Sequence, residues 1–418
     1  MQITILAAGT RGDTQPYIAL GKELMKHGNQ VRLATFENYA SFVQSHGLEF
    51  FPISGDVSQF TTSKNAKNAR GADNPLKVLL SFSQLKNYVF TRQREFYDAC
   101  QNTNLIIFHP GMPIGYFAAQ QMKIPSVLAT PFPMTPTREF PALIFYNSPR
   151  LGGSFNWMTH KIFEQIMWFP SSSAVKSFWK EKFGRIPDDF GCPFERQTTR
   201  NLPTIVSCSD YVFPKPNDWP EGVHNTGYWF LDEEPDWKPP HDLVDFLKKG
   251  KPPVYFGFGS LGDPELADRT TEIVLEALKL SGQRGILATG WNSMSKRDRI
   301  PKDIFILESI PHSWLFPRMA SVVHHGGAAT TAAGFKAGVP TIIIPFSNDQ
   351  FAWGRRAFEL GVGPQPIPRK SLTAEKLAEA ITKAYSPEII SNSMNLGQNI
   401  QSENGTSLAV KIILNSLV

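Results

Sequence analysis

The segment 324–350 holds the side chains that could most readily do chemistry. It opens with two histidines and two glycines, which follow a short apolar run and precede an alanine-rich stretch that stops at Gly338 and Pro340. This order predicts a strand, a sharp turn and then the N-terminus of a helix over 328–337. The unpaired N–H groups and the dipole of a helix N-terminus favour a phosphate group, and His325 could donate to the same anion. The pattern therefore predicts a diphosphate cradle.

An acid and an amide follow at the end of the next predicted strand. Thr341 to Ile344 has the composition of a buried strand, and Asp349 and Gln350 lie just beyond it. Ligands of open parallel sheets bind outside the C-terminal ends of the strands. A carboxylate beside an amide suits sugar hydroxyls, which both donate and accept hydrogen bonds. A Gly-Gly turn or a single histidine usually has a structural role only, but the ordered combination predicts an enzyme that uses nucleotide sugars.

The same segment resembles the donor-binding signature of the family 1 glycosyltransferases. The likeness is strongest to the sterol glucosyltransferase branch and to the bacterial relatives that glycosylate antibiotics, and it continues through the sequence FAWGRR at 351–356. It implies that His325 binds the donor diphosphate and that Asp349 and Gln350 hold the glucose hydroxyls. It also implies diphosphate contacts from the small residues after the histidine, namely Gly327, Ala328, Ala329 and Thr330.

The N-terminus predicts a second candidate site. Alternating apolar residues at 3–7 predict a first strand, and a loop with Gly9 and Gly12 leads to a helix predicted over 14–27. This pattern places Asp13 in the loop above the end of the strand. Asp13 could be the N-cap of the helix or a catalytic group, and the two roles can coexist. The loop lacks a GxGxxG sequence, so a dinucleotide site has little support.

The resemblance assigns a role to this loop. Family members related to the plant enzymes carry a catalytic histidine in a Gly-His pair here, whereas the sterol and antibiotic branches have Arg-Gly-Asp, as this chain does at 11–13. In the family the loop faces the donor across a cleft. The resemblance therefore implies that Asp13 is the general base and that Gly12 lies beside the donor diphosphate. A carboxylate is a weak base for an alcohol, so its environment or close geometry must assist it.

Further donor contacts are implied by the resemblance. Ser260 follows the first predicted strand of the second half of the chain, at the place where a Gly-Ser pair of the family contacts the donor phosphates. A simple strand-to-loop turn is the alternative there. Trp291, Ile310 and Trp314 lie where related enzymes hold the uracil ring. A tryptophan at a strand end usually fills the core, and this is the alternative for both tryptophans.

The stretch 131–179 is crowded with aromatic and other apolar side chains among turn residues and basic side chains. One interpretation is ordinary core of the first domain. The other is an apolar acceptor pocket with a membrane-facing rim, and the likeness of 133–141 to the sterol branch favours it. The candidate acceptor-binding residues are Pro133, Met134 and Phe140, together with His109 at a nearby strand end.

Composition limits the possible functions. At 418 residues the chain exceeds a single hydrophobic core and predicts at least two domains. The formal charge of +5 and the pI near 8.9 come from interleaved charges, so nucleic-acid binding has little support and an anionic membrane surface is the better candidate partner. Three scattered cysteines favour reduced thiols in a cytoplasmic protein over disulfides or a zinc site. The sequence shows no secretory signal and no apolar run of about 20 residues, so we expect any membrane contact to be peripheral.

Strand and helix patterns alternate in both halves of the chain. Predicted strands lie at 31–35, 105–108, 126–130, 254–258, 285–289 and 304–307. Such alternation predicts an α/β fold with doubly wound parallel sheets. Two Rossmann-like domains of this kind, facing each other across a cleft, form the GT-B architecture of the resembling family. We expect an acceptor-binding domain at 1–213, a proline-rich linker at 214–241, a nucleotide-sugar-binding domain at 242–405 and a last helix at 406–418 that returns to the first domain.

The expected reaction is the inverting transfer of glucose from UDP-glucose to the hydroxyl of a sterol or similar lipophilic acceptor. The base would be Asp13, and His325, Ser260 and the helix after Gly327 would stabilise the leaving diphosphate. No convincing Asp-x-Asp motif occurs, so the reaction requires no metal ion or other cofactor. Polyketide, carotenoid, hopanoid and diacylglycerol acceptors are alternatives. Alternatives from other classes are a UDP-sugar epimerase, a non-catalytic partner protein and an NAD-dependent oxidoreductase.

Overall fold

The computed structural model of the chain divides into two compact units. Unit 1 comprises Met1–Leu231 and Glu403–Val418, and unit 2 comprises Asp232–Ser402. The structure describes residues 1–7, 9–55, 86–232, 237–258, 264–288, 301–346 and 349–417. Two of the candidate donor contacts, Ser260 and Trp291, lie outside the described residues.

Unit 1 is built on a parallel sheet. Its strands within the described residues are β1 (Gln2–Leu6), β2 (Gln30–Phe36), β3 (Glu49–Ile53), β4 (Leu105–Phe108), β5 (Ser126–Thr130), β6 (Thr204–Val206) and β7 (Val223–Asn225). Their order across the sheet is β3-β2-β1-β4-β5-β6-β7, and all neighbouring pairs are parallel. The order reverses between β1 and β4, which is the switch point of a doubly wound sheet.

Helices cover this sheet. They are α1 (Arg11–Lys26), α2 (Ala40–Ser45), α3 (Lys86–Ala99), α4 (Ile114–Met122), α5 (Gly153–Phe183), α6 (Pro193–Thr199) and, at the end of the chain, α14 (Gly405–Asn415). The last helix packs on α1, where the Ser407 hydroxyl donates to the Glu23 carboxylate at 2.7 Å. Val410 and Ile413 of the same helix are buried in the core of unit 1.

Unit 2 repeats the arrangement on a smaller sheet. Its strands within the described residues are β8 (Val254–Gly257), β9 (Gly285–Ala288), β10 (Ile304–Leu307), β11 (Ser321–His324) and β12 (Thr341–Ile343). The order is β10-β9-β8-β11-β12, all parallel, so the switch point lies between β8 and β11. The helices are α7 (His241–Lys248), α8 (Pro264–Ser281), α9 (His312–Leu315), α10 (Ala328–Ala337), α11 (Gln350–Glu359), α12 (Ala374–Ala384) and α13 (Pro387–Ser402).

The division between the units, between Leu231 and Asp232, falls inside the proline-rich linker predicted at 214–241. Residues 214–231 belong to unit 1, because Val223–Asn225 pairs with β6 as the last strand of that sheet. Two of its prolines open turns: the backbone N–H of Trp219 donates to the Pro216 carbonyl, and that of Val223 donates to the Pro220 carbonyl. The second boundary falls at Glu403 rather than after residue 405.

The first helix begins earlier than its sequence pattern predicts. It starts at Arg11 with Thr10 as the N-cap, so Asp13 lies in the first turn of α1 and not in the preceding loop. The backbone N–H groups of Asp13 and Thr14 both donate to the Thr10 carbonyl, at 3.0 and 3.1 Å. Pro16, which favoured a later start, is accommodated within the helix.

The aromatic stretch 140–179 is mostly one long helix. The 31 residues of α5 start after Gly152, which has φ 92°, and end at Gly184 in the left-handed conformation. The helix divides its aromatic side chains: Phe163, Trp168 and Phe178 are buried, whereas Trp157 and Phe169 are exposed. Within the described chain, none of the helices has both the length and the apolar character that crossing a bilayer requires.

Candidate active site

The predicted diphosphate cradle lies at the switch point of unit 2. Gly257 ends β8 and His324 ends β11, and these two residues are register partners on neighbouring parallel strands. The next helix, α10, begins shortly afterwards at Ala328. Because ligands of doubly wound sheets bind where the strand order reverses, this edge is the expected ligand site of unit 2.

The turn between β11 and α10 depends on a glycine and a buried histidine. Gly326 has φ 88°, in the left-handed region that favours glycine. Its N–H donates to His324 Nδ1 at 3.0 Å, inside the core. Burial lowers the pKa of His324 well below its ordinary value, and the charges of neighbouring histidines add to this. His324 is therefore a neutral brace for the turn.

His325 has a different environment from its neighbour. The ring is half-buried, and its Nε2 would lie 2.6 Å from a Cβ placed on Gly327, so the imidazole stands over the N-cap of α10. Burial lowers the pKa of His325 to about 4, and the Gly257 carbonyl acts in the opposite direction. The ring is thus neutral at pH 7 and would gain a proton more readily beside an anion.

The N-terminus of α10 presents backbone donors. The Gly327 carbonyl accepts from the N–H and from the hydroxyl of Thr331, both at 2.9 Å. The N–H groups of the first helical residues, 328–330, have no partner within the helix. All residues of α10 are described, and its first turn contains no acidic residue. Ala329 is exposed, so a ligand could approach these donors.

Asp349 and Gln350 lie directly beside this turn. Asp349 Oδ2 accepts from the Trp353 indole N–H at 3.1 Å, and Gln350 Oε1 accepts from the Phe346 N–H at 2.8 Å. A Cβ on Gly326 would come within 3.1 Å of the Gln350 carbonyl oxygen. The fold thus brings the acid, the amide and the helix N-terminus to one edge of the sheet.

Gly326→Ala tests how closely this turn must approach α11. A Cβ at Gly326 would lie 2.7 Å from Ile343 Cγ2, in addition to the strain of a positive φ. We expect the substitution to lower the free energy of unfolding by about 2–5 kcal/mol. Gly282→Ala is the matched control, because Gly282 also has a positive φ but an added Cβ there would meet nothing within 4 Å. It should cost about 1–2 kcal/mol. Equal losses in urea unfolding would show that the close approach is unimportant.

Two of the candidate uracil contacts, Trp314 and Ile310, already pack against other residues of unit 2. The Trp314 ring lies 4.3 Å from the Arg318 guanidinium and 5.7 Å from the ring of Trp237, measured to ring centroids. One face of Trp314 is therefore covered by a cation. Ile310 is half-buried against the core of unit 2. The predicted stacking of uracil on Trp314 has to use the opposite face.

Asp13 and His109 lie together at the switch point of unit 1. They follow β1 and β4, whose last residues, Leu6 and Phe108, are register partners. The His109 N–H donates to the Leu6 carbonyl at 2.9 Å. Burial lowers the pKa of His109, and the nearby Asp13 carboxylate opposes this effect. The fold therefore joins two candidates that the sequence separates widely.

The Asp13 carboxylate takes part in a capping box. Its Oδ2 accepts from the Thr10 N–H at 2.7 Å and from the Thr10 hydroxyl at 2.9 Å. Asp13 is the third residue of α1, so it is not the N-cap that the sequence suggested as its alternative role. A Cβ on Gly9 would lie 2.4 Å from Oδ2, and this glycine leaves room for the carboxylate. Gly12 is half-buried in the same helical turn.

His109 is held on two sides. Its Nδ1 accepts from the Gly111 N–H at 2.9 Å, and the edge of the Tyr17 ring packs on it with 5.8 Å between the centroids. The Tyr17 hydroxyl is in turn fixed by the Ala129 carbonyl at 2.6 Å. A neutral imidazole whose Nδ1 accepts carries its proton on Nε2. His109 can therefore donate a hydrogen bond from Nε2.

The candidate acceptor residues after β5 differ in exposure. Pro133 and Met134 are buried, so their side chains are not available to a ligand in this structure. The packed segment between β5 and α5 accounts for this difference from the prediction. Phe140 is half-buried, with its ring 5.3 Å from the ring of Phe213.

His160 organises this segment, although the sequence did not single it out. It is buried in α5, with Nδ1 3.1 Å from the Met134 carbonyl oxygen and Nε2 3.0 Å from that of Phe140. Thr159 adds a contact, because its hydroxyl accepts from the Ala142 N–H at 2.9 Å. The helical period of these buried positions is the signal that could have identified them.

Comparison with known proteins matches both halves of the chain to family models. Residues 3–141 match the family model of the glycosyltransferase family 28 N-terminal domain, and residues 273–411 match that of the erythromycin biosynthesis protein CIII-like C-terminal domain. A sterol 3-beta-glucosyltransferase of Arabidopsis thaliana is 35% identical over 98% of this chain and 67% of its own length. The chain belongs to the glycosyltransferase family that includes this sterol 3-beta-glucosyltransferase.

Other relatives of the glycosyltransferase are longer than it is. A second sterol 3-beta-glucosyltransferase of Arabidopsis thaliana is 34% identical over 100% of this chain and 66% of its own length. That of Candida albicans is 36% identical over 99% of this chain and 28% of its own length. The glycosyltransferase thus spans about two thirds of the plant relatives and less than a third of the fungal one.

Solved structures show the same fold. The glycotransferase of kitacinnamycin has a TM-score of 0.71 at 19% identity. The alignment covers 100% of this chain and 99% of that one. The spinosyn forosaminyltransferase has a TM-score of 0.70 at 15% identity, with 100% and 99% of the two chains aligned. The prediction of an α/β fold with two Rossmann-like domains of the GT-B class is confirmed, as is the family suggested by the two motifs.

Proposed function

We propose that this glycosyltransferase transfers glucose from UDP-glucose to the hydroxyl of a sterol or a similar lipophilic alcohol, with a β-glucoside as the product. The names of its relatives, sterol 3-beta-glucosyltransferases, support this acceptor and this linkage. The donor assignment rests chiefly on one observation, the close approach of the Gly326 turn to Gln350. It puts donors for a diphosphate beside an acid and an amide that suit a sugar ring.

In the proposed complex, the diphosphate lies at the N-terminus of α10. The N–H groups of 328–330 and the imidazole of His325 donate to its oxygens, while Asp349 and Gln350 bind glucose hydroxyls. The helix dipole favours the negative charge by about 0.3–1 kcal/mol, more in a partly buried site. Donors that are already in place stabilise the charge that develops on the leaving group without reorganisation.

The proposed reaction is a single displacement. The acceptor oxygen attacks the anomeric carbon from the face opposite the diphosphate, and its proton moves to the carboxylate of Asp13. The bond from the anomeric carbon to the diphosphate oxygen breaks, and UDP leaves with the electron pair. Attack from the opposite face inverts the α-linkage of UDP-glucose, which gives the β-glucoside.

We propose further that no metal ion or other cofactor takes part and that the enzyme works in the cytoplasm. His325 and the start of α10 already offer the leaving diphosphate a stabilising environment, which supports the first point. Cys100, Cys192 and Cys208 are all buried free thiols, which suits a reducing compartment. Under this proposal, glucosyl transfer continues at an unchanged rate when EDTA is added.

The proposal is tested by measuring UDP release from UDP-glucose with a panel of sterols, polyketides, carotenoid alcohols and diacylglycerols. We expect release that depends on a sterol and yields a sterol β-glucoside, identified by NMR of the product. Release with another acceptor alone would transfer the proposal to that class. Interconversion of UDP-sugars without an acceptor would indicate an epimerase, and no release with any acceptor would indicate a non-catalytic partner.

A further inference from the structure

The outward face of α5 carries apolar side chains that unit 1 leaves uncovered. Met158, Ile162 and Phe169 are between 39% and 49% exposed, and so is Trp157 beside them. Spacings of four and seven residues put the first three on one side of the helix. The buried side of α5 faces the core through other residues, such as Phe163. An apolar patch of this kind on a folded unit marks an interaction surface.

The same side of the helix becomes basic toward its C-terminus. Lys176 and Lys180 follow Phe169 by seven and eleven residues, which is the helical period of the apolar positions, and both are exposed. Near the start of the helix, Arg138 donates to the Ser154 hydroxyl at 3.2 Å, but the Asp218 carboxylate accepts from the Arg138 backbone N–H at 2.7 Å. Positive charge therefore borders the apolar patch at its C-terminal end.

Negative charge is scarce on this surface. Between residues 140 and 180 the sequence has one acidic residue, Glu164. It is buried and pairs with Lys161 at 2.8 Å, and Glu195 of α6 pairs with the same lysine at 3.1 Å. Glu181, just after Lys180, pairs with Arg94. These ion pairs leave the outward side of α5 with a positive charge.

We infer that Met158, Ile162, Phe169, Lys176 and Lys180, the outward stripe of α5, bind the surface of a bilayer that contains anionic lipids. Apolar and aromatic side chains enter the headgroup region, and lysines on the same side attract lipid phosphates. A second copy of the chain fits this stripe less well, because two copies would bury their lysines without a counter-charge. The inference goes beyond the proposed reaction and does not depend on which acceptor is used.

Cosedimentation with phosphatidylcholine vesicles, with and without phosphatidylserine, tests the inference on the full chain. We expect the wild type to bind more tightly when phosphatidylserine is present. Replacing Met158, Ile162 and Phe169 together by serine should weaken binding by at least about tenfold. Lys176→Gln and Lys180→Gln should each weaken vesicle binding by about fivefold and reduce the preference for phosphatidylserine.

A triple variant in unit 2 provides the matched control. Met394, Leu280 and Phe358 are of the same side-chain classes and are between 51% and 53% exposed. Their replacement by serine should leave vesicle binding unchanged. Equal binding by both triple variants, or no binding by the wild type, would overturn the inference. So would a wild-type dimer in light scattering that the α5 variant converts to a monomer, because the stripe would then belong to a second copy.

Calorimetric binding of UDP, measured on every variant, separates this inference from the proposed reaction. Retained UDP binding shows that a variant is folded, since none of the exchanged residues belongs to the donor site. If the enzyme binds vesicles through α5 but glucosylates no sterol, the proposed acceptor is wrong and the inferred membrane-binding surface is supported. If it glucosylates a dispersed sterol but does not bind vesicles, the proposed acceptor is supported and the inferred membrane-binding surface is wrong.

Discussion

Asp13→Asn should lower kcat by about 10²–10⁴-fold, the usual contribution of a general base. Asparagine keeps the shape of the side chain and an oxygen that can accept from Thr10, where Asp13 Oδ2 now accepts two hydrogen bonds. The capping box therefore survives while the group that takes the proton is lost. UDP release with a sterol acceptor measures the loss of kcat. Urea unfolding of the same preparation should show a loss of at most about 1 kcal/mol, because only the interaction of the charge with the helix dipole is removed.

Thr10→Val is the control for the structural role of this pair. It removes the hydroxyl that donates to Asp13 Oδ2 but leaves the carboxylate in the chain. We expect a loss of about 0.5–2 kcal/mol in the free energy of unfolding, as for other helix caps, with a much smaller loss of kcat than in Asp13→Asn. If Asp13→Asn retained kcat within a few-fold of the wild type, the carboxylate would serve only the capping box and would not be the base.

His109 is the other group at this switch point that could take a proton, and its surroundings argue against it. Because Nδ1 accepts from the Gly111 N–H, the neutral ring has its proton on Nε2 and no lone pair there. Burial also lowers the pKa of His109, which weakens it as a base. The role that remains for His109 is to donate a hydrogen bond from Nε2 to an oxygen, which leaves Asp13 as the proposed base.

Several core strands could be predicted because they are short apolar runs in a parallel sheet. All residues of β4, for example, are fully buried. The three-residue strands β6 and β7 could not be predicted, since their identity depends on pairing with β5 and with each other. The prolines around β7 further hid it, so the linker predicted at 214–241 took in residues 214–231, which belong to unit 1.

The candidate donor site could be predicted from a short stretch of sequence, but the different roles of its two histidines could not. His324 and His325 follow each other at the end of β11, and successive side chains of a strand point to opposite faces. One ring therefore enters the core and braces Gly326, while the other stands over Gly327. Only the fold decides which histidine faces which side. The contact of His160 with two distant carbonyls is likewise a product of the fold.

His325→Ala should lower kcat/KM for UDP-glucose by about 10²–10³-fold, the range found when one preorganised donor to a developing charge is removed. The pH dependence of UDP binding identifies the imidazole more directly. In the free protein, burial lowers the pKa of His325 to about 4, so the ring is neutral at pH 7. A diphosphate beside it raises this pKa, and binding therefore takes up a proton.

The sign of the pH effect follows from this linkage. UDP affinity should rise as the pH falls from the raised pKa of the complex toward about 4, the pKa of the free protein, and gain nothing more below it, where the ring is charged in both states. Calorimetry of UDP binding in buffers of different ionisation heat counts the protons taken up. Because the diphosphate titrates in the same range, the count for His325→Ala must be subtracted. If the wild type and His325→Ala took up equal numbers of protons, His325 would not contact the diphosphate. The N-terminus of α10 alone would then stabilise the negative charge of the diphosphate.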